Sequence, residues 1–326
     1  MPTMLTTRKM HPALAARIEA SLGGNKRTTR RLGPRVVAVA RLIGVLLVVS
    51  VAIATVTTRR RSHDELEAAR SALLAAVRAK SEPLSPSDLE LVARASEWST
   101  RLAAPYEGDV VAPELAKDGA LSATVARSIV YVRGPIGSIV NAQALALTAA
   151  VSSKDPLVSC LVDPPKDRTE KAMLTKVRGA YARDALFEKS TANVTRLDDA
   201  EVGLPFLTPA WAVGVTAAEE LPELTRLRRD LGKAPLDGAR RAAQSELFFV
   251  AMDEEGDKLG PTELDGERPH KVRLMLIDLR AKKVLVRLQR SVDPSWITEA
   301  QRPTYAAGLD SCALAMDLRA AIEKGR

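Results

Sequence analysis

The chain has 326 residues, with 48 Lys+Arg against 40 Asp+Glu, three His, two Cys and eleven aromatic side chains. Its net charge of +8 is unevenly spread: residues 1–61 hold twelve basic side chains and one acidic one, Glu19 (+11), whereas residues 62–326 hold 36 basic and 39 acidic (−3). The large C-terminal part is therefore not basic. Eleven aromatics are also too few for a basic sheet of base-stacking platforms, so no nucleic-acid-binding domain is expected.

Residues 1–35 carry eight of the basic side chains, among them Arg8, Lys9, Arg17, Lys26 and Arg27, together with Gly23-Gly24-Asn25 and Thr28-Thr29. This composition reads as a disordered cytoplasmic tail that marks topology and adheres to anionic lipid, at about 1 kcal/mol per basic residue near the surface. Binding to a cytoplasmic partner or to nucleic acid would need more than the membrane itself. The run Leu42–Thr58 then has 17 residues without a charge, and extension back to Val36 gives 23 interrupted only by Arg41. At about 1.5 Å per residue this spans roughly 34 Å, enough for a hydrocarbon core of about 30 Å. Arg41 lies near the start, where its stem can snorkel to the headgroups. Arg30, Arg31 and Arg35 on one side and Arg59–Arg61 on the other bracket the run, and no polar stripe interrupts it, so residues 36–58 are expected as a transmembrane helix.

The long basic head favours an uncleaved signal anchor. Cleavage after Ala54 is the alternative, since Ala52-Ile53-Ala54 offers small residues at the peptidase spacing. Thr29-Arg30-Arg31 departs from a twin-arginine signal because Gly33, Pro34 and Arg35 follow it. Five Lys/Arg (26, 27, 30, 31, 35) precede the span and four (59, 60, 61, 70) follow it, which orients the N-terminus inside and the domain outside. The Ala-, Arg- and Val-rich composition is that of a high-GC bacterium, in which outside means the periplasm.

Ser62-His-Asp-Glu65 has the spacing of a capping box and predicts a new helix to about Lys80, with Leu66, Leu73, Leu74 and Val77 on one side. Ser85-Pro-Ser-Asp88 predicts a second start, followed by the stripe Leu91, Ala95, Trp98, Leu102; residues 62–103 thus read as a membrane-proximal helical hairpin. Residues 104–122 read as loop and Arg127–Arg133 as a strand closed by Gly134-Pro135, with Gly134-Pro-Ile-Gly137 a turn rather than a phosphate loop. Asn141–Ser152 reads as a helix, Pro156–Val162 as a short apolar stretch, and Asp167-Arg-Thr-Glu170 as the cap of a helix to about Glu188. Pro205–Val215 has no clear period, and helices follow at about 217–231 and 236–245.

The strongest strand signal comes last. Glu246–Met252 is one strand, and Lys271–Asp278 with Lys283–Gln289 forms an antiparallel hairpin that puts Val272/Leu274/Leu276 and Val284/Val286/Leu288 on one face each. The final helix, from Pro303 to about Lys324, is apolar on two sides and keeps only a narrow polar stripe of Asp310, Asp317 and Lys324. The expected fold is α+β: one transmembrane helix, the helical hairpin, then an exported domain over 120–326 whose antiparallel sheet of about four strands packs with helices.

Cys160 and Cys312 fit no metal spacing, and outside the cytoplasm they can pair as a disulfide or remain two buried thiols; both readings stay open. Only His270 lies in the folded part, and a Cys160–His270 dyad has nothing in the sequence to bring its members together. The acidic run Asp253-Glu-Glu-Gly-Asp257 with Glu263, Asp265 and Glu267 does not match a calcium loop and reads as solvated, while Asn193-Val-Thr195 is a glycosylation sequon of little weight in a bacterium. No G-x-S-x-G, H-E-x-x-H or Walker sequence occurs. No catalytic, cofactor or metal residues are assigned, and neither a cofactor nor a small-molecule ligand is inferred. The reading is a single-pass protein of the inner membrane whose periplasmic domain binds or scaffolds, with the bilayer and another envelope protein as partners. The rival is an exported hydrolase-like enzyme working through carboxylates (Asp163, Asp167, Glu170 or the acidic run) or His270.

Overall fold

The computed structural model describes residues 34–81, 84–254 and 269–324. The basic tail up to residue 33, the acidic run beyond Glu254 and the side chain of Arg41 lie outside the described residues. The chain divides into two compact units, residues 1–64 and 65–326.

The described part of the first unit belongs to helix α1 (Pro34–Ser81). Proline at its first position loses nothing by lacking an N–H. Ser62 does not start a new helix: its hydroxyl donates back to the Arg59 carbonyl at 2.9 Å. A capping box needs free N–H groups to bond, and in the middle of a helix none are free.

In the second unit, α2 (Pro86–Leu89) opens on the expected reciprocal cap, with the Asp88 N–H donating to the Ser85 hydroxyl at 3.2 Å and the Ser85 N–H to the Asp88 carboxylate at 2.8 Å. Helix α3 (Leu91–Leu102) buries its predicted stripe, Leu91, Ala95, Trp98 and Leu102. The segment read as loop after it holds β1 (Val110–Val111), a 3-10 turn over Pro113–Ala116 and α4 (Ala120–Val125). Strand β2 (Ile129–Pro135) runs through Gly134-Pro135 straight into α5 (Ile136–Val140), so that tetrapeptide is a strand-to-helix junction and not a free turn. Then come α6 (Ala142–Ser152), capped by the Asn141 side chain, and α7 (Leu157–Val162).

The next helix is shorter than expected. Thr169 caps α8 (Glu170–Ala182), which ends at Arg183 in the left-handed conformation (φ 52°), and α9 (Ala185–Ser190) begins afresh on Asp184. Strand β3 (Val194–Thr195), α10 (Leu197–Gly203), a 3-10 turn over Leu204–Leu207, α11 (Pro209–Ala217), α12 (Leu221–Leu231) and α13 (Leu236–Ala243) lead to β4 (Leu247–Asp253). Strands β5 (His270–Asp278) and β6 (Lys283–Val292), a short 3-10 turn over Pro294–Trp296 and α14 (Arg302–Lys324) complete the described chain.

The described strands form one mixed six-stranded sheet, in the order β1-β6-β5-β4-β2-β3. This corrects the expectation of about four antiparallel strands: β2 pairs parallel with both β3 and β4, and β1 extends the opposite edge. Helical crossovers bring the chain back in the same direction directly beside β2, where a hairpin could only place an antiparallel neighbour. Alternation along each strand builds two cores. Val130, Val132, Phe248, Val250, Met252, Met275 and Ile277 face one helical layer, which includes Leu73, Val77 and the α3 stripe. Ile129, Tyr131, Phe249, Ala251, Leu274 and Leu276 face the other, with α7, α8 and α14. Val284 departs from its predicted face. The pairs Leu276–Val286 and Ile277–Val284 leave Leu285 unmatched, and this bulge turns Val284 toward the first layer while Leu285 and Val286 stay in the second.

Candidate functional site

Between Leu42 and Val56 the large apolar side chains of α1 are exposed, and its apolar window buries nothing within the structure. Length and composition suffice to cross a membrane. Its hydroxyls are satisfied by the helix itself: Ser50 donates to Leu47 O at 2.9 Å, Thr55 to Ala52 O at 2.8 Å and Thr57 to Ile53 O at 2.9 Å. Such back-bonding removes the cost of placing a hydroxyl in hydrocarbon.

The second candidate is in the α+β unit. In open sheets with parallel strands, ligand sites form beyond the carboxyl ends of neighbouring strands whose outgoing connections run to opposite sides. Parallel neighbours β2 and β4 have that place, since the chain leaves β2 toward β3 and β4 toward β5. On β2, Arg133 follows Ile129 and Tyr131 on one face, and Asp253 ends β4 on the same side after Phe249 and Ala251.

Arg133 Nη2 lies 3.5 Å from Asp253 Oδ1, and His270 Nε2, at the start of β5, lies 3.6 Å from the same oxygen. Both contacts are too long for good hydrogen bonds, the second being an ion pair only when the imidazole is protonated, and Asp253 Oδ1 is buried without one. The other guanidinium nitrogen, Nη1, donates to the carbonyl of Ala307 at 3.1 Å and to the Ser311 hydroxyl, both on α14, and stands 3.3 Å from Asp155 Oδ2. Asp155 accepts further bonds from Tyr131 at 3.0 Å, Ser311 at 2.6 Å and the N–H of Leu157 at 2.8 Å. Ser152 closes the network on the backbone of Arg133, accepting from its N–H at 2.8 Å and donating to its carbonyl at 3.0 Å. Next to Ser311, Asp310 is only 2% exposed.

Burial dominates the proton chemistry here. It drives the Asp253 carboxyl upward, but the charge of Arg133 with His270 alongside more than reverses it, and the group stays below the usual carboxylate range. Arg133 likewise resists its burial and is held charged by Asp253 and Asp155. Tyr131 is pushed well above the usual phenol range by burial and then by Asp155. For Asp310 burial prevails: Arg133 and His270 pull down, Asp253 and Asp293 push up, and the carboxyl is raised to about 7.

A cleft of about 100 Å³ opens beside Asp155, lined by Tyr131, Ser152, Arg183, Thr195 and Arg196 among others. It is far below the roughly 300–1,000 Å³ of small-molecule sites. A larger surface depression of about 410 Å³ is lined by the charged and polar residues Asp237, Arg240, Arg241 and Gln244.

The remaining sequence candidates have structural partners. Asp163 pairs with Lys176; Asp167 accepts from the Thr169 N–H at 2.9 Å; Glu170 accepts from the Thr298 N–H at 3.0 Å and hydroxyl at 2.8 Å. His270 is joined to Asp253 and not to Cys160, whose sulfur is bonded to that of Cys312 across a Cα–Cα distance of 5.3 Å. Asp310 leaves the polar stripe predicted for α14, being buried against the sheet end, whereas Asp317 pairs with Arg168 nearer the surface. Sequence reasoning missed Arg133, Asp155 and Ser311. Alternation would have exposed the first, since a residue two after the buried Tyr131 must point inward. Among the described residues no cluster of three or more His, Cys, Asp or Glu could hold a metal.

No protein-family model matches the chain, and no characterised protein or solved structure is significantly similar to it.

Proposed function

We propose that the chain is a single-pass inner-membrane protein, N-terminus inside, whose periplasmic α+β domain binds or scaffolds another envelope protein and is not a catalyst. The observation that carries this reading is the exposed apolar stretch of α1 with its internally bonded hydroxyls, a helix surface that lipid suits and water does not. The Cys160–Cys312 bond supports the compartment, because such bonds persist where thiols are not kept reduced. These two clefts, one small and one lined by charged and polar residues, favour a macromolecular partner over a small substrate. Paired C-terminal fusions test it: a reporter that works only after export should be active, and one that works only in the cytoplasm should be silent. The reverse pattern would sink the topology and the function with it.

A second reading, an exported hydrolase-like enzyme using carboxylates or His270, draws on the Asp253–His270 contact at the sheet end. Turnover of an ester, phosphoester or glycoside substrate that disappears in His270→Ala while the fold persists would establish it.

A further inference from the structure

Where the amino-terminal half of α14 crosses the carboxyl ends of β2 and β4, three carboxyl groups (Asp155, Asp253, Asp310) meet one guanidinium, Arg133, and one imidazole, His270. The side chains of Arg133, Asp253 and Asp155 are 10%, 11% and 13% exposed, and Asp310 as a residue 2%. With every carboxyl ionised, three negative charges would face one guanidinium and one imidazole, so that at least one would stand uncompensated in a nearly dry site. Continuum reasoning makes that state costly, and protonation of a carboxyl relieves it. Asp253 and Asp155 have Arg133 against them, which leaves Asp310 as the group that takes the proton.

The surroundings add little that would compensate. From the elements packed against this part of α14, the groups that face it are Tyr131 and Arg133 on β2, Asp155 before α7, Asp253 on β4, His270 on β5 and Asp293 after β6. Tyr181 on α8 lies against Gly308, two residues from Asp310 and therefore on another side of α14. Arg178 on the same helix sits over the Tyr305 ring, 5.5 Å from its centre.

We propose that this cluster is a proton-operated latch: Asp310 is protonated while residues 302–311 are docked on the sheet, and as the medium rises toward neutrality loss of that proton loosens this half-helix, while Cys312, bonded to Cys160, holds the rest of α14 in place. The latch turns on the next residue but one after Asp310, so the covalent bond marks the boundary between the half that moves and the half that does not. The elevation of Asp310 to about 7 supports the direction. A carboxyl raised on docking holds its proton between the ordinary carboxylate range and neutrality, so docking is tightest in acid and weakens as pH rises through that window, levelling off above it. The latch itself does not depend on the envelope reading, which bears only on where such a pH change would be met.

The test is hydrogen exchange of the full-length chain in detergent micelles, from about pH 4.5 to about pH 8, corrected for the intrinsic pH dependence of exchange. In the wild type, protection of residues 302–311 should fall by roughly tenfold per pH unit up to about pH 7 and then level off, the signature of one proton. In Asp310→Asn, which keeps a neutral side chain of the same shape, protection should be flat over the same range. Asp310→Leu, neutral without polar atoms, provides the same readout if the amide disturbs folding. Equal pH dependence in wild type and variant, or flat protection in the wild type, overturns the latch. With the disulfide reduced, loss of protection should spread beyond Cys312 toward Lys324; a boundary that stays at 311 overturns the tethering role.

Discussion

An arginine stands between two carboxylates near each end of strand β2, and the two arrangements differ in their surroundings. Just before the strand, Arg127 donates to Glu246 at 2.9 Å and Asp278 at 2.8 Å, with its side chain 30% exposed. At the other end Arg133 faces Asp155 and Asp253 with only 10% of its side chain exposed. The first has the shorter contacts and the weaker claim on stability, because water screens it and would solvate each partner if the pair were broken. The second has longer contacts, yet removing its cation would leave carboxylates stranded in the interior. Distance alone ranks these two triads the wrong way round.

The largest expected effect is a direct contrast between them. Arg133→Met should cost about 3–5 kcal/mol in urea unfolding at neutral pH, and Arg127→Met no more than about 1 kcal/mol. Equal costs would break the distinction. Next, the Cys160–Cys312 bond ties the helix that follows Asp155 to the helix that carries Ser311, and its loop spans 152 residues. Reducing it should lower stability by about 2–5 kcal/mol, read from unfolding with and without reductant; an unchanged midpoint would remove it as a brace of the buried end.

A smaller effect belongs to Gly308. An added Cβ there would collide with Val177 of α8, so Gly308→Ala should cost about 1–3 kcal/mol by forcing α14 away from α8, seen as a lowered thermal midpoint. The smallest lies at the exposed end. Asp278 accepts from the N–H groups of Arg280 (2.9 Å) and Ala281 (2.7 Å) to shape the β5–β6 turn, whose Lys282 has φ 52°. Lys282→Gly should stabilise by about 0.5–1 kcal/mol by relieving that left-handed conformation, a gain that a destabilised variant would contradict.

Much of this architecture is legible without coordinates wherever a pattern is long enough to repeat. Strands β5 and β6 and the two-sided α14 follow from periods of two and of 3.6 sustained over seven residues or more, and β4 from a continuous apolar run. Strands β1 and β3, two residues each, have no pattern of their own and exist because β6 and β2 offer them hydrogen bonds. The Ser62 signal misled because Ser-x-x-Glu is equally at home inside a helix. Val284 was placed on the wrong face because one bulged residue shifts the alternation, and no composition rule marks Leu285 as that residue. Arg133 could have been seen from its strand alone. Asp155 and Asp310 could not, since each is brought to the site by a helix packing on the sheet.

The Cys160–Cys312 bond has one more consequence, for cleavage rather than folding. A single proteolytic cut anywhere between those two residues opens a closed ring of chain and leaves both fragments covalently joined. A cut between α1 and Cys160 lies outside the ring and separates the pieces. Covalent release of the second unit would therefore be decided by the stretch ahead of Cys160, whereas a cut in the larger part of that unit would leave its fragments joined where it occurred.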